Sequence, residues 1–377
     1  MKWITRSEAL DRLGVKPQTL YAYVSRGLIT SRPQEEDPRV SLYSDGDISA
    51  FLKRRRTGRA RDAIAKAAIS WGEPVMETAI TTVREGRLIY RGRDAVKLAE
   101  TATLEKAAAL LWQANDFPAP QATPVKRADG DSGKARLLNC LASDASTAQP
   151  GFGRGQAALV ADGARLLHEV SLAITSQQGA QAYHVRLAGF WGADERGADL
   201  IRRALVLVAD HELNASTFAA RVAASTGASL AAAALAGCAT LTGPLHGEAS
   251  ARALAYLKAA RDWDVDGALA ALGSRREHMP GVGHTLYPEG DPRAAALLGW
   301  LKPSGVLPDA IDAAETMSGQ AANIDMALAA LCLELGLPDD APFLLFASGR
   351  MVGWIAHAIE QLTSGRLIRP RARYTGT

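Results

Sequence analysis

The stretch GPLHGEAS, residues 243–250, places His246 between a Gly-Pro turn and a run that resumes helical character. A lone histidine is more often a structural residue than a catalyst or a metal ligand, so its meaning depends on the rest of the chain. The chain has 377 residues and 47% hydrophobic residues. At roughly 100 to 200 residues per domain, this length predicts about two or three globular domains with an ample core.

Most of the chain beyond residue 105 repeats Ala and Leu at three- and four-residue spacing. The segments are EKAAALLWQA (105–114), AALVADGARLLHEV (157–170), ADLIRRALVLVAD (198–210), GASLAAAALAGCA (227–239), NIDMALAALCLELG (323–336) and GRMVGWIAHAIEQL (349–362). This periodicity predicts a nearly all-helical body. A β-hairpin that turns at 84–86 is predicted ahead of it. The Gly- and Ser-rich stretches 128–135 and 144–156 are predicted to be loops.

The cysteines, the N-terminus and the apolar runs argue against a disulfide-bonded, secreted or membrane protein. Cys140, Cys238 and Cys332 are far apart and odd in number, which argues against a disulfide framework and a zinc site. The N-terminus has scattered charges and no apolar core, so no secretory signal is predicted. The apolar stretch 229–241 is too short for a membrane span and favours a buried helix. We therefore expect a cytoplasmic protein without membrane attachment, and the histidines show no metal-ligand spacing.

The first 66 residues carry the positive charge of the chain. They hold 14 Lys and Arg against 8 Asp and Glu, within a chain whose total net charge is +3. The densest run is KRRRTGRAR, residues 53–61. Such a run is either a solvated helix end or linker, or a surface that contacts phosphate.

Helix signals in this region follow one another closely. Thr5 and Glu8 have the spacing of a capping box, and Gly14 predicts the end of that helix. A second helix from Pro17 to about Gly27 leaves five residues to face outward: Gln18, Thr19, Tyr21, Tyr23 and Arg26. Short strands at LITS (28–31) and VSLY (40–43), and a helix capped by Ser44 and Asp47, are predicted to follow.

This order is that of a winged helix-turn-helix. Residues 1–56 resemble the DNA-binding heads of the MerR and excisionase families, in which the second helix enters the major groove. The alternative is a helical module for dimer or domain contacts, because the acidic run at 35–37 would repel phosphate. The predicted head and basic link occupy residues 1–66, and the body occupies 67–377.

Ionisable residues at helix ends and turns collect in the C-terminal half. His246 precedes a helix whose dipole disfavours its cation, and a neutral imidazole suits the stabilisation of an enol. His284, in a Gly-rich turn, suits the polarisation of a carbonyl. Asp325, among apolar residues, is a desolvated base toward a carbon acid. Arginines supply forked donors for a substrate with several carboxylates, and the candidates are Arg293, Arg350 and Arg369.

Several motifs stand in one order from about residue 73 to the C-terminus. They are LIYRGRD, DHELNASTFAARV, GPLHG, PGxGH with DPRA after it, NxD, GRxxGWIAH and RLIRPRxxYTG. Together they resemble the citrate synthase family. The resemblance implies an all-helical fold with a large and a small domain, the small one at approximately 250–340, and a homodimer. It also implies condensation of oxaloacetate with an acyl-CoA that enters as substrate, without a bound cofactor or metal.

By motif position, the resemblance implies roles for nine residues. His246 stabilises the enol, Asp325 removes the α-proton, and His284 activates the oxaloacetate carbonyl. The implied substrate ligands are His211, Asn214, Arg293, Phe346, Arg350 and Arg369. Of these, Arg369 reaches the partner's site across the dimer interface.

The chain departs from the family pattern on the side of the acyl-CoA. Residues 285–288 and 318–320 lack cations that many members carry there, and Glu248 stands where the family often has glycine. Each lost cation removes a phosphate contact worth about 1.5 to 3 kcal/mol. One hypothesis is a synthase that uses acetyl-CoA or, as in 2-methylcitrate synthases, propionyl-CoA; the sequence does not decide between them. The other is a DNA-binding regulator whose body senses a tricarboxylate.

Overall fold

The computed structural model describes residues 2–25, 27–34, 37, 40–52, 76–119, 129–177, 181–274, 278–372 and 374–376. The chain divides into two compact units, Met1–Glu77 and Thr78–Thr377, called here the head and the body. The basic run 53–61, the acidic pair at 35–36 and the predicted boundary at residue 66 lie outside the described residues. The division of the body into a large and a small domain stays a prediction.

The described residues of the head form three helices and a small antiparallel sheet of order β1-β3-β2. The elements are β1 (Trp3–Ile4), α1 (Arg6–Leu13), α2 (Pro17–Ser25), β2 (Ser31–Pro33), β3 (Ser41–Ser44) and α3 (45–52). The predicted first strand is misplaced, since β2 begins where LITS ends. Ile29 is 1% exposed in the core instead, and the Thr30 N–H donates to the Asp47 carboxylate at 2.9 Å. β1, which pairs with β3, was not predicted.

Local capping explains where the head helices begin and end. The capping box of Thr5 and Glu8 is confirmed, and Gly14 ends α1 with φ of 61° in the left-handed region that glycine adopts without strain. The Asp47 N–H donates to Ser44 Oγ at 3.2 Å, which confirms the predicted cap of α3. The helices and the sheet enclose one apolar core: Ile4, Ala9, Leu13, Leu20, Ile29, Tyr43 and Ile48.

The body begins with a hairpin and continues as helices. The hairpin is formed by β4 (Thr81–Arg84) and β5 (Arg87–Tyr90), and β6 (Arg93–Asp94) adds a third antiparallel strand beside β5. Both residues of the β4–β5 turn have positive φ, Glu85 at 51° and Gly86 at 70°. The first helices are α4 (Ala95–Thr101), α5 (Leu104–Leu111), α6 (Gly133–Thr147), α7 (Gln156–Thr175), α8 (Tyr183–Trp191) and α9 (Glu195–Leu207). They are followed by α10 (Ala215–Ser225), α11 (Leu230–Leu241), α12 (Ala249–Asp262), α13 (Val265–Ser274), α14 (Pro292–Leu301), α15 (Leu307–Ser318), α16 (Ile324–Glu334) and α17 (Ala341–Ser364). The prediction of a mostly helical body is confirmed.

Both predicted loops are wrong at their edges, because α6 takes residues from each. Its N-cap is Ser132, and the Gly133 N–H donates to Asp340 Oδ2 at 2.8 Å, so a carboxylate 207 residues away completes the helix start. The helix then runs to Thr147, which leaves 148–155 between α6 and α7.

The long helix α17 lies in the core of the body. It is long and apolar enough to cross a membrane by length and composition, but its most apolar window is 100% buried within the protein. A Cβ at Gly349 would lie 2.6 Å from the Leu205 carbonyl oxygen, and one at Gly353 would lie 2.3 Å from Asp210 Oδ1. These two glycines therefore let the end of α9 and the turn after it pack directly on α17.

Candidate active site

Five segments of the body converge on the middle of α17. The rings of His211 and His284 are 4.9 Å apart, and those of His246 and Phe346 are 6.3 Å apart. The Arg350 guanidinium lies 4.8 Å from the Phe346 ring centroid. The structure thus brings together seven residues that the sequence singled out: His211, His246, His284, Arg293, Asp325, Phe346 and Arg350.

His246 lies in a tight turn between α11 and α12. The backbone N–H of His246 donates to the Gly243 carbonyl at 2.9 Å, and the backbone N–H of Gly247 donates to the Leu241 carbonyl at 2.9 Å. A Cβ at Gly247 would lie 2.4 Å from that same Leu241 oxygen, so only glycine fits there. Burial, followed by the charge of Arg350, lowers the pKa of His246 to about 4. The imidazole is therefore neutral near pH 7, and burial is the main cause, whereas the sequence had attributed it to the helix dipole.

A hydrogen-bonded group behind His246 controls its tautomer. His246 Nε2 is 2.9 Å from Ser216 Oγ, which also receives the Trp354 indole N–H at 3.2 Å. The Ser216 hydroxyl donates to Asn214 Oδ1 at 2.7 Å, an oxygen that also accepts the Thr217 N–H at 3.0 Å as the N-cap of α10. In this arrangement Ser216 Oγ accepts from His246 Nε2, because the hydroxyl has only one proton. When the hydroxyl turns from Asn214 to donate to His246 Nε2, the imidazole proton is on Nδ1.

His284 has a backbone donor that defines its second nitrogen. The Leu286 N–H donates to His284 Nδ1 at 3.1 Å, so this nitrogen carries the lone pair and Nε2 carries the proton. Burial, followed by the charge of Arg293, lowers the pKa of His284 to about 4. His284 is thus a neutral imidazole whose Nε2–H is able to donate to a carbonyl oxygen.

Asp325 stands in the first turn of α16. Its N–H donates to Asn323 Oδ1 at 3.0 Å, and Asn323 Nδ2 donates to the Gly283 carbonyl at 2.9 Å, which ties the helix start to the segment that carries His284. The Ser250 hydroxyl donates to Asp325 Oδ1 at 2.5 Å. Burial raises the pKa of the Asp325 carboxyl, and the Ser250 hydrogen bond opposes that rise in part. The carboxylate is therefore a stronger base than an exposed one.

The two arginines differ in how the protein pairs them. Arg293 is 2% exposed and donates from Nε and Nη2 to Asp291 at 3.0 and 2.8 Å, and the same carboxylate accepts the Ile324 N–H at 3.0 Å. Although burial raises the pKa of Asp291, the Arg293 ion pair outweighs it and the pKa is lowered. Arg350 is 1% exposed and donates from Nε to the Val208 carbonyl at 3.0 Å. Burial lowers its pKa to about 10.

Arg350 therefore presents a buried positive charge to the site. No carboxylate in the described part of the chain lies within ion-pair distance of it, and Asp210, whose charge favours the cation, pairs with His357 at 3.3 Å. A cation removed from water without a partner is costly, and an anionic ligand relieves that cost.

His211 directly precedes Glu212, whose φ of 51° lies in the left-handed region. It is 6% exposed, and its Nε2 is 2.9 Å from the Tyr287 hydroxyl. Burial, followed by the charges of Arg293 and Arg350, lowers the pKa of His211 well below its usual range. The cluster thus contains three neutral imidazoles and two buried arginines, and the charges of both arginines act on the carboxylate of Asp325.

Two of the implied ligands are placed differently from the rest. Asn214 uses its side chain to cap α10, and its Nδ2 donates to the His211 carbonyl at 3.2 Å, so it holds the segment that carries His211. Arg369 is exposed in the segment after α17, and no hydrogen bond or ion pair joins it to the cluster within the described residues. Its role toward a partner stays a prediction.

Sequence reasoning missed the residues that hold the reactive groups. Each is buried and polar, and each contacts a candidate site residue through its side chain: Ser216, Ser250, Tyr287 and Asp291. Ser216 stands in DHELNASTFAARV and Asp291 in the DPRA motif, so motif membership was the only signal. Tyr287 had been noted only as part of a stretch without cations.

In the head, α2 presents part of the surface that was predicted to face DNA. Three of the five residues are exposed or half-buried and lie outside the apolar core of the head: Gln18, Thr19 and Tyr21. Tyr21 is 52% exposed, and the Arg6 guanidinium lies 5.2 Å from its ring centroid. Tyr23 instead packs on Phe51 with ring centroids 4.7 Å apart. Arg26 lies outside the described residues.

Comparisons with known proteins agree with the motifs. The family model "Citrate synthase, C-terminal domain" matches residues 69–145 and 158–371. The chain is 39% identical over 194 residues to a citrate synthase of Haloferax volcanii, and the match spans 48% of the chain and only 50% of that relative. It is 31% identical to a putative citrate synthase 2 of Mycobacterium tuberculosis over 77% of the chain and 87% of the relative. It is 28% identical to a 2-methylcitrate synthase of Shewanella oneidensis over 81% of the chain and 93% of the relative.

A solved structure shares the fold. The citrate synthase of Thermoplasma acidophilum, in a ternary complex with carboxymethyl coenzyme A and oxaloacetate, superposes with a TM-score of 0.66 at 24% identity. The match covers 81% of this chain and 94% of that one. The helical arrangement of the body is therefore the citrate synthase fold.

Proposed function

Because the chain belongs to the citrate synthase family, we propose that it condenses an acyl-CoA with oxaloacetate and releases a tricarboxylate and CoA. Acetyl-CoA is the first donor, and it gives citrate. Propionyl-CoA is the alternative, and it gives 2-methylcitrate. The observation that carries the proposal is a buried, basic carboxylate, Asp325, which feels the charges of Arg293 and Arg350, in a body that also buries neutral imidazoles and in which Arg350 has no ion-pair partner in the described part of the chain.

The first step is removal of a proton from the carbon next to the thioester carbonyl. Asp325 accepts this proton, and its raised pKa makes the transfer less uphill. His246 donates a hydrogen bond to the thioester oxygen and stabilises the enol. This requires its proton on Nδ1, so the Ser216 hydroxyl, which donates to Asn214 Oδ1 in the structure, turns to donate to His246 Nε2. A neutral imidazole stabilises the enol without the desolvation cost of a buried cation.

The second step forms the new carbon–carbon bond. The enol carbon attacks the ketone carbon of oxaloacetate, the ketone electron pair moves to its oxygen, and His284 Nε2–H donates the proton that this oxygen takes up. The proton that Asp325 removed in the first step replaces the one lost by His284, so both groups return to their starting protonation states. Water then cleaves the thioester, and CoA leaves as the thiol. Arg293 and Arg350 pair with the carboxylates of oxaloacetate, and His211 and Phe346 line the same site.

The acyl-CoA and oxaloacetate are proposed as free substrates, without a bound cofactor, in the cytoplasm. The pair of ligands in the Thermoplasma acidophilum structure supports this choice. The proposed assembly is a homodimer in which Arg369 completes the partner's site, since it is exposed and makes no hydrogen bond or ion pair with the cluster within the described residues.

Release of free thiol from acetyl-CoA, and separately from propionyl-CoA, tests the proposal on the purified full chain with oxaloacetate. Turnover is expected, and the ratio of the two kcat/KM values identifies the donor. Asp325→Asn should abolish turnover and still bind oxaloacetate, whereas Asp339→Asn, an exposed carboxylate on the surface, should change neither. Oxaloacetate binding without turnover for either donor would favour a second candidate function.

That second candidate is a DNA-binding regulator whose body senses a carboxylate ligand. It is favoured by the exposed side of α2, where Tyr21 carries the stacked Arg6 guanidinium. Selection from a pool of random duplexes, followed by mobility-shift titration at several salt concentrations, tests it on the full chain. Tyr21→Ala should weaken binding, and Lys97→Ala, an exposed cation of the body, should not. Absence of binding at low salt would leave the head as a module for protein contacts.

A further inference from the structure

Tyr287 lies among three side chains of the candidate site. Its ring centroid is 5.0 Å from the ring of His284 and 5.5 Å from that of His211, and the Arg293 guanidinium lies 5.5 Å from it. Tyr287 is 2% exposed, and its hydroxyl is 2.9 Å from His211 Nε2. No other hydrogen bond of this hydroxyl is found within the described residues. Within the described residues, the phenol hydroxyl therefore hydrogen-bonds to the His211 side chain and to no backbone group.

The hydrogen bond has one favoured direction. Burial lowers the pKa of His211 well below its usual range, so the imidazole is neutral and carries one ring proton. Burial raises the pKa of Tyr287, so the phenol keeps its proton. A phenol O–H is a stronger acid and donor than a neutral imidazole N–H, and the imidazole lone pair is the better acceptor. Donation from Tyr287 to His211 Nε2 is thus favoured, and the imidazole proton is then on Nδ1.

We propose that Tyr287 is a positioning residue that holds His211 in the Nδ1–H tautomer. The inference rests on the proposed function, in which His211 binds oxaloacetate. A carboxylate accepts hydrogen bonds and repels a lone pair. With Nε2 hydrogen-bonded to Tyr287, Nδ1 is the His211 nitrogen that remains for the substrate, and it carries a proton in every protein molecule. No free energy of oxaloacetate binding is then spent on converting His211 from one tautomer to the other.

The tautomer is measured directly on the free protein. The chain has 7 histidines, so selective ¹⁵N-histidine labelling gives a spectrum in which protonated and unprotonated ring nitrogens have separate shifts. The signals of His211 are identified by their loss in His211→Asn. In the wild type we expect Nδ1 protonated and Nε2 unprotonated. In Tyr287→Phe we expect both nitrogens to shift toward the average of two tautomers.

Tyr256→Phe is the matched control. Tyr256 is 3% exposed and its hydroxyl donates to the Ala310 carbonyl at 2.8 Å, so the variant also removes a buried hydroxyl. It should leave the His211 signals and the KM for oxaloacetate unchanged. Loss of one neutral hydrogen bond in Tyr287→Phe should raise that KM by about 2- to 12-fold with kcat retained.

A wild-type His211 protonated on Nε2, or signals unchanged in Tyr287→Phe, would overturn the proposal. If the variant does not fold, the wild-type spectrum alone still decides the direction of the hydrogen bond. The spectra need no turnover. Failure of the proposed function, seen as no thiol release by the wild type, is therefore distinguishable from failure of this inference.

Discussion

Replacement of Arg350 by glutamine is expected to stabilise the free protein and weaken its binding of oxaloacetate. Burial of the cation lowers the pKa of Arg350 from its usual value to about 10. Each unit of pKa corresponds to about 1.4 kcal/mol, so at neutral pH the buried charge costs the folded state about 3 kcal/mol. The unfolded chain holds this proton more tightly than the folded one. The free-energy cost of burying the charge is therefore fully present below pH 10. It disappears as the pH rises from 10 toward the pKa that Arg350 has in the unfolded chain.

Glutamine removes the charge and keeps a donor for the Val208 carbonyl, which Arg350 Nε contacts at 3.0 Å. Urea unfolding at pH 7 should show a free energy of unfolding about 1 to 3 kcal/mol above that of the wild type. Loss of a charge-assisted hydrogen bond should raise the Kd for oxaloacetate by about 10- to 150-fold, measured by calorimetric titration. Oxaloacetate should accordingly stabilise the wild type far more than the variant.

Arg202→Gln is the matched control, because Arg202 is a buried arginine that the protein does pair. It is 8% exposed, and it donates to Asp199 at 2.6 Å and to the carbonyls of Ala99 and Ala102. This variant should lose stability and keep the affinity for oxaloacetate. Equal loss of stability in both variants, or unchanged affinity in Arg350→Gln, would refute the reasoning.

Three further predictions concern the reactive groups and the assembly. Ser250→Ala removes the donor that lowers the pKa of Asp325, so the acid limb of kcat/KM against pH should move to higher pH; an unmoved limb would contradict the role of Asp325 as base. Arg369→Ala and Asp325→Ala homodimers should each be inactive, yet subunit exchange should restore about one quarter of the wild-type rate if Arg369 acts on the partner's site, and nothing if it acts within its own chain. Gly247→Ala should lower kcat by about 10- to 100-fold while circular dichroism stays unchanged, because a Cβ would lie 2.4 Å from the Leu241 carbonyl oxygen and the catalytic turn must shift. Unchanged kcat there would mean that the turn adjusts without moving His246.

Much of the fold is predictable because its signals are local. The apolar periodicity of α7 and α16 and the hairpin turn at 85–86 depend on residues next to each other in the chain. The start of α6 is not predictable in this way. Its first N–H groups are satisfied by Asp340, and nothing near Ser132 in sequence reports a carboxylate from the start of α17. In the head, α1 and α3 follow from their caps, whereas β1 forms only because β3 returns beside it.

In the candidate site, too, some features have a local sequence signal and others depend on distant residues. The ionisable residues are recognisable from their positions in motifs and at turns, but their partners are distant in sequence. Ser216 lies 30 residues from His246, and Ser250 lies 75 residues from Asp325. A serine carries no local signal of such a contact. The sequence therefore predicts which groups react and not what orients them.

The orientation of the site is built by the protein before any substrate arrives. The reactive and binding groups have partners as follows: Ser216 for His246, the Leu286 N–H for His284, Ser250 for Asp325, Asp291 for Arg293 and Tyr287 for His211. Arg350 differs, since only a backbone carbonyl in the described part of the chain accepts its hydrogen bond. Groups that are already satisfied contribute direction and little binding energy, whereas a buried cation without a counter-charge gains most when an anion enters. Affinity for the carboxylate substrate should thus depend chiefly on Arg350, and the rate on the oriented groups around it.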